Sequence, residues 1–477
     1  MIFHDLRGFL DELERQGQLV HVRQGVRPEP DIAAAGRAVT DLGEASPALL
    51  FHALEGYGAA RLALNVVGSW ANHALMLGLP KTASVREQFH AIAQRWTRFP
   101  VPVERVAEAP FQDNVTTEID LFALLPLARV NPMDGGFYLD KAVVISRDPD
   151  DPENPGKQNV GYYRLQVKDK NRLGLQPVPM HDIALHLRKA EERGENLPVA
   201  IAIGTDPILA SVASAPLRYD QSEYEMAGAL AGQPYRVVKS DATGLDLPWG
   251  AEIILEGEVV CGARELEGPF GEFTGNYSGL RRQPVIQLTR ALYRHKPIFE
   301  QCYVGTPWTE VDTLIGLPTC VPIYHQLKAD FPEVEAVNAL YTHGLATIIS
   351  TRQRFGGFAK AVAMRTLSTP HGIGYCKIVI MVDETVDPFN LAQVMWALST
   401  RFDPAKDMIT VPTASILPLD PLADPPGIAT KIILDATTPM APDRRGDFSR
   451  PVEIPPGTRE WTAILGDLWA KAKAGER

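Results

Sequence analysis

Cysteine is scarce in this chain: Cys261, Cys302, Cys320 and Cys376 are the only four in 477 residues, and no two stand in CxxC spacing. Neither a disulfide framework nor a cysteine zinc site is indicated, and a reducing compartment fits, so a cytoplasmic location is expected. Basic charge is short as well, with 47 Lys and Arg against 58 Asp and Glu and a net charge of −11. That charge argues against a general surface for nucleic acid or anionic lipid but not against a local basic pocket for one phosphate. No apolar run is long enough to cross a bilayer, so membrane insertion is not expected. The opening segment MIFHDLRGFLDELERQG has neither the basic leader nor the apolar core of an export signal. Repeats and low-complexity tracts are missing too. What is abundant is apolar content, 45 % of the chain, enough for a large core and for roughly two to four domains.

Hydrophobic periodicity divides the chain. Residues 1–98 alternate helix and strand patterns, with a helical stripe at Leu6, Phe9, Leu10 and Leu13, strands at 49–51 and 62–67, and a helix at 85–96. The run FPVPV at 99–103 cannot continue a helix and predicts a linker. Residues 110–310 turn to β character, with strands at 142–146, 160–167, 199–203, 253–260 and 285–293 and helices near 181–193 and 221–231. From 318 to 440 strand and helix alternate again, at 346–350, 359–366, 377–382 and 391–398, which predicts a second α/β layer. Residues 441–477, rich in Pro, Asp and Arg before an amphipathic helix at 459–472, predict an arm that docks elsewhere.

One stretch stands out, Glu267-Gly-Pro-Phe-Gly-Glu272. Two glycines and a proline between the acids rule out a helix, so a tight loop presents both carboxylates to one space. Two acids held close titrate apart, giving a proton donor and a fixed negative charge from one residue type. The competing reading of the motif alone is a surface turn with two solvated acids.

A second constellation lies upstream. Asn159 and Arg164 share a predicted strand at odd spacing, which puts them on opposite faces unless a bulge or twist at Gly161 intervenes. His181 opens a helix after a Pro-Val-Pro-Met turn, where free amides favour an anion such as phosphate, and Glu223 begins another helix. An amide oxygen, an imidazole and a carboxylate suit an octahedral divalent ion with positions left for phosphate oxygens. Each also has a plainer reading: Asp220-Gln-Ser-Glu223 resembles a capping box, and an Asn near a Gly is commonly a turn residue.

In order and spacing, Asn159-xxxx-Arg164, the His181 segment, Ser222-Glu223-Tyr224 with Ala227-Gly228, and above all the paired glutamates resemble the UbiD family of reversible decarboxylases. The resemblance covers nearly the whole chain. Longer blocks at 174–186 and 219–230 are similar to the large C subunits of bacterial hydroxyarylic acid decarboxylases acting on 4-hydroxybenzoate or vanillate. It implies an α/β (α+β multidomain) fold whose central split β-barrel binds flavin, flanked by N-terminal and C-terminal α/β domains, the latter assembling protomers into dimers or a hexamer.

The cofactor implied is prenylated FMN, made by a separate flavin prenyltransferase, with a divalent ion (manganese, magnesium or iron) and a potassium ion beside its phosphate. By position, Asn159, His181 and Glu223 become the divalent-ion ligands and the backbone of 212–215 a potassium site. Arg164, Met180, Ala215 and Lys431 are further cofactor contacts, Lys431 toward the phosphate. Arg164, Glu267 and Glu272 map onto the family's central triad, with Glu272 as proton donor. The chemistry explains the need: losing CO₂ from an aromatic carbon leaves an in-plane carbanion that the ring cannot delocalise, so an electron sink is required. The implied substrate is a small aromatic acid such as 4-hydroxybenzoate, vanillate or protocatechuate, with Met180, Trp308, Tyr324 and His325 as candidate ring-facing residues. A small accessory subunit is admitted. An ordinary FMN oxidoreductase on the same barrel and a non-catalytic assembly subunit are the alternatives, and the intact triad weighs against both.

Overall fold

The computed structural model describes residues 3–43, 46–58, 60–341, 344–445 and 452–473. Its first helix, Leu6–Arg15, begins where the Gly8 amide donates to the Asp5 carboxylate, and its apolar stripe Leu6, Phe9, Leu10 and Leu13 is buried. Burial of each such side chain contributes about 1.5–3 kcal/mol. Ser84 and Glu87 cap the helix Val85–Trp96 reciprocally. Beside these helices lies a four-stranded sheet in the order Leu19–Val22, Ala48–Phe51, Arg61–Leu64, Ile298–Gln301. Its last strand corrects the expected division of the chain, because 298–301 lies within the 110–310 segment yet pairs in parallel with Arg61–Leu64. A four-residue run carries no label for its partner. The 99–103 segment has no regular structure, but Phe99, Val101 and Val103 pack on the core, so it is a strap across the surface.

A nine-stranded sheet fills the centre. Its long antiparallel pair, Ile253–Glu267 with Arg281–Tyr293, is bent by register shifts at 256/257 and between 259 and 264. Among the described residues the pairing path is open, ending at Tyr138–Leu139 on one side and Gln158–Tyr162 on the other. The single strand expected at 160–167 is in fact two. Gln158–Tyr162 pairs with Ala142–Arg147, whereas Leu165–Val167 pairs with Arg172–Leu175 and Tyr138–Leu139. The chain changes neighbours at Tyr163 and Arg164, so the regular alternation of faces stops there. The register through Gly161 is regular, so the bulge considered at that glycine does not occur.

The third unit opens with the helix Glu310–Asp330, capped by Thr309 and Asp312, and so begins at Glu310 rather than near 318. This helix is buried on almost every side and contains Pro318 and Pro322, which is why it left no amphipathic signature. Gly316 lets it approach the strand Val334–Tyr341; a Cβ there would stand 2.6 Å from Leu340 Cδ2. The sheet it covers runs Val334–Tyr341, Ala346–Thr351, Ile378–Asp383, Ile428–Asp435, Met408–Ser415, of which the first and last two were not expected. The helix Thr458–Lys473 follows with Trp461, Ile464, Leu465 and Leu468 exposed. Of the expected arm, 446–451 and 474–477 lie outside the described residues. No described helix is long and apolar enough to cross a membrane.

A buried charge cluster joins the three units. The Lys141 ammonium, before the strand Ala142–Arg147, donates to Glu300 and Glu310 at 2.6 Å each, and the Val67 amide donates to the same Glu310 oxygen at 2.8 Å. Glu300 belongs to the N-terminal sheet and Glu310 to the long helix, so one cation ties all three together.

Candidate active site

A cavity of about 370 Å³ opens between the central sheet and the third unit, a size that suits a cofactor with a small substrate. Arg164, Glu272, Asn159, His181 and Glu223 all line it, as do Met180 and Ala215.

Glu267 ends its strand, and Gly268, at φ +101°, turns the chain out of it. The loop that follows is pinned from behind. The Gly135 amide donates to Pro269 O at 2.7 Å, and the Gly271 amide donates to Asp134 Oδ1 at 2.7 Å. Arg164 then joins both glutamates. Its Nε donates to Glu267 Oε1 at 2.8 Å and its Nη2 to Oε2 at 2.6 Å, a bidentate pair, while Nη1 donates to Glu272 Oε1. The Phe270 ring lies 4.9 Å from the guanidinium carbon. Glu267 and Glu272 are both buried, so the solvated-turn reading fails. Burial pushes the Glu272 carboxyl up to about 7; Arg164 opposes this and Glu267 adds to it. Oε1 is engaged by Arg164, which leaves Oε2 as the oxygen able to carry a proton.

Asn159 and Arg164 reach the same cavity because the strand breaks between them. Gly161 makes room for the fold-back, since a Cβ there would stand 2.9 Å from the Tyr163 ring. The Asn159 amide donates to the Tyr163 hydroxyl at 3.1 Å. His181 occupies the cap position of the helix Asp182–Glu192 without capping it. Its Nε2 lies 3.4 Å from the Tyr375 hydroxyl, and its buried Nδ1 has no hydrogen-bond partner. Burial drops its pKa to about 4, so the ring is neutral. Glu223 is the first residue of the helix Glu223–Ala231 and accepts the Val160 amide at 3.1 Å. The cap position belongs to Ser222, which makes no side-chain capping bond, so the capping-box reading is not realised. Burial, aided by Asp182, raises Glu223 to about 8, and burial raises Asp182 to about 6. The unpartnered His181 nitrogen and the Glu223 carboxyl short of counter-charge line one cavity, and an imidazole with a carboxylate is a donor pair that fits a divalent cation. No cluster of three or more His, Cys, Asp and Glu placed to hold a metal occurs among the described residues. This set has two such ligands, and the Asn159 amide oxygen would complete it.

Other expected residues do not meet here. Lys431 is buried outside the cavity lining, its ammonium donating to Gly372 O at 2.7 Å and Ile373 O at 2.8 Å. Of the four candidate ring-facing residues only Met180 lines the cavity. Trp308 packs on Trp70 and Tyr341, Tyr324 on Phe89, and His325 bonds to Ala93 O at 3.0 Å. The apolar wall comes instead from Phe270, Phe273, Val304, Val311, Ile315 and Leu417, one contiguous cluster drawn from three separate stretches. Nothing in the sequence distinguishes these from ordinary core residues.

Residues 10–92, 104–307 and 312–436 match, respectively, the N-terminal, Rift-related and C-terminal domains of the 3-octaprenyl-4-hydroxybenzoate carboxy-lyase (UbiD) family. A phenolic acid decarboxylase of Bacillus subtilis (strain 168) is 60 % identical over 473 residues, covering 99 % of this chain and 100 % of its own. The vanillic acid decarboxylase of Sedimentibacter hydroxybenzoicus (ShVdcCD) in closed form superimposes with a TM-score of 0.92 at 51 % identity, covering 98 % of this chain and 99 % of that one. An evolved dimeric form of the UbiD-class enzyme HmfF from Pelotomaculum thermopropionicum, in complex with prFMN, has a TM-score of 0.81 at 29 % identity, covering 96 % of this chain and 98 % of that one.

Proposed function

The chain belongs to the UbiD family of carboxy-lyases, and from that premise we propose that it catalyses the reversible, non-oxidative decarboxylation of a small hydroxyaromatic acid such as 4-hydroxybenzoate, vanillate or protocatechuate. The observation that carries the reading is the Arg164–Glu267–Glu272 array, of which Arg164 and Glu272 line the cavity with Glu267 buried behind them, and in which one carboxyl is held near 7 beside a guanidinium.

The cavity on the bent central sheet, acting as a split β-barrel, would hold prenylated FMN, which when bound would supply the electron sink for the ring carbon that loses CO₂. This chain's residues do the rest. Glu272 holds a proton on Oε2 and delivers it to the vacated ring carbon. Glu267 keeps Arg164 oriented, and the guanidinium draws in the substrate carboxylate and steadies the Glu272 carboxyl. The apolar wall flanks the ring and excludes water. Asn159, His181 and Glu223 would hold a divalent ion, and the backbone at 212–215, of which Ala213, Ser214 and Ala215 line the cavity, would hold potassium. Lys431 serves from behind the wall, fixing the helix Pro370–Gly374 that carries His371. The chain divides into an N-terminal α/β unit, a flavin-binding centre and a C-terminal α/β unit that joins protomers into a dimer or hexamer in the cytoplasm. Its partners include a small accessory subunit; the Sedimentibacter protein was solved as ShVdcCD, one open form of it with truncated ShVdcD.

The test is production with and without a flavin prenyltransferase, followed by an absorption spectrum and a panel of aryl acids assayed for CO₂ release. Modified flavin and turnover of hydroxylated acids are expected only after coexpression. Full activity with plain FMN, or no turnover of any aryl acid by protein carrying modified flavin, would overturn the proposal.

A further inference from the structure

We propose that Asp148, which lies outside the cavity, is the positioning residue that holds Asn159, His181 and Glu223 in one geometry; the inference rests on reading those three as cation ligands. The three come from separate elements and share no stretch of backbone, so something must fix the elements to one another. Each sends a group to Asp148. Lys189, on the helix that follows His181, donates from Nζ to Asp148 Oδ1 at 2.9 Å and Oδ2 at 2.7 Å. Tyr219, on the loop that runs into Glu223, donates its hydroxyl to Oδ2 at 2.5 Å. Immediately before the strand of Asn159, Lys157 O accepts the Asp148 amide at 3.1 Å, and Ser146 is the register partner of Asn159 itself.

The hub is buried and complete. Asp148 has no exposed side-chain surface. Burial works against its charge, but the Lys189 and Tyr219 hydrogen bonds prevail and hold it down at about 2. A carboxylate can take the ammonium on both oxygens and the phenol as well, where an amide would offer one accepting oxygen and no charge. His186, on the helix of Lys189, meets the Tyr219 ring edge to face at 5.8 Å and bonds through Nδ1 to Ser146 Oγ at 3.0 Å, joining the same helix and loop to the strand Ala142–Arg147, which pairs with that of Asn159. Gly156 lets the strand's entry abut the Tyr219 loop, since a Cβ there would stand 2.7 Å from Asp220 O. A site whose ligands must agree within about 0.5 Å depends on such support, and loss of outer partners weakens metal binding about 10–100-fold.

The experiment titrates Mn²⁺ into full-length protein in the presence of FMN, reading free Mn²⁺ by electron paramagnetic resonance, for wild type, Asp148→Asn, Tyr219→Phe and Glu223→Gln. Asp148→Asn should bind Mn²⁺ about 10–100-fold more weakly. Tyr219→Phe should weaken it by a smaller factor with an unchanged thermal midpoint, and in matured enzyme should raise the Mn²⁺ concentration needed for activity while leaving kcat at saturating Mn²⁺ intact. Wild-type affinity in Asp148→Asn and Tyr219→Phe beside a weakened Glu223→Gln would overturn the positioning role. Wild-type affinity in Glu223→Gln would instead overturn the ligand reading beneath it. Should Asp148→Asn fail to fold, Tyr219→Phe decides alone, because it removes a single hydroxyl, and unchanged Mn²⁺ affinity there refutes the proposal.

Discussion

Replacing Glu272 with Gln removes one transferable proton and little else. The amide oxygen can still accept from Arg164 Nη1, and the two bonds from Arg164 to Glu267, at 2.8 and 2.6 Å, are untouched. A positioned general acid contributes about 10²–10⁴-fold, so turnover should fall by at least about 10² with flavin content and thermal midpoint preserved. The pH dependence sharpens the test. With the carboxyl at about 7, its acid form makes up about nine-tenths of the population at pH 6 and about one-tenth at pH 8. Because the proton must be present to be delivered, kcat for decarboxylation should decline as pH rises through 7 and hold steady below it. The Gln variant should lack that alkaline limb. The assay is CO₂ release together with deuterium incorporation at the vacated ring position, in protein whose absorption spectrum verifies modified flavin. Near-normal rates in Glu272→Gln, or the same alkaline limb at any rate, would refute Glu272 as the donor and leave Glu267 as the next candidate.

Two further outcomes follow from packing. Lys141→Met leaves Glu300 and Glu310 buried without their shared cation, and should cost about 3–5 kcal/mol in chemical denaturation, with part of the loss recovered by adding Glu310→Gln; an unmoved midpoint would show that the cluster does not hold the units together. Gly135→Ala places a Cβ 2.0 Å from Gly268 O, behind the glutamate loop, and should lower kcat about 10²-fold through misplacement of Glu272, with a smaller effect on stability; wild-type kcat would mean the loop is not positioned from that side.

The local elements were largely legible in the sequence. The helices at Leu6–Arg15, Val85–Trp96, Asp182–Glu192 and Glu223–Ala231 announce themselves by stripe, cap or turn, and the strand Ala142–Arg147 by its apolar run. The paired glutamates were legible as a bend because glycine and proline restrict the backbone at short range. The helix Glu310–Asp330 was not, because burial on every side erases periodicity and its two prolines read as breakers. Nor was the break at Tyr163 and Arg164, which arises when the chain exchanges one sheet neighbour for another and has no local cause.

Residue types and their spacing thus determined which groups are available: two acids held by one bend, an arginine, and an amide, imidazole and carboxylate of the types that suit a cation. The tertiary structure alone decided which of them face one another. It put Arg164 on the cavity side, turned Lys431 away, excluded Trp308, Tyr324 and His325, assembled the apolar wall and converged three elements on Asp148. The physical reason is range. Backbone preference acts over a few residues and can be read along the chain, whereas burial, desolvation and hydrogen-bond geometry act between residues a hundred or more positions apart, as from Arg164 to Glu267 or Glu272, and exist only once the chain has folded.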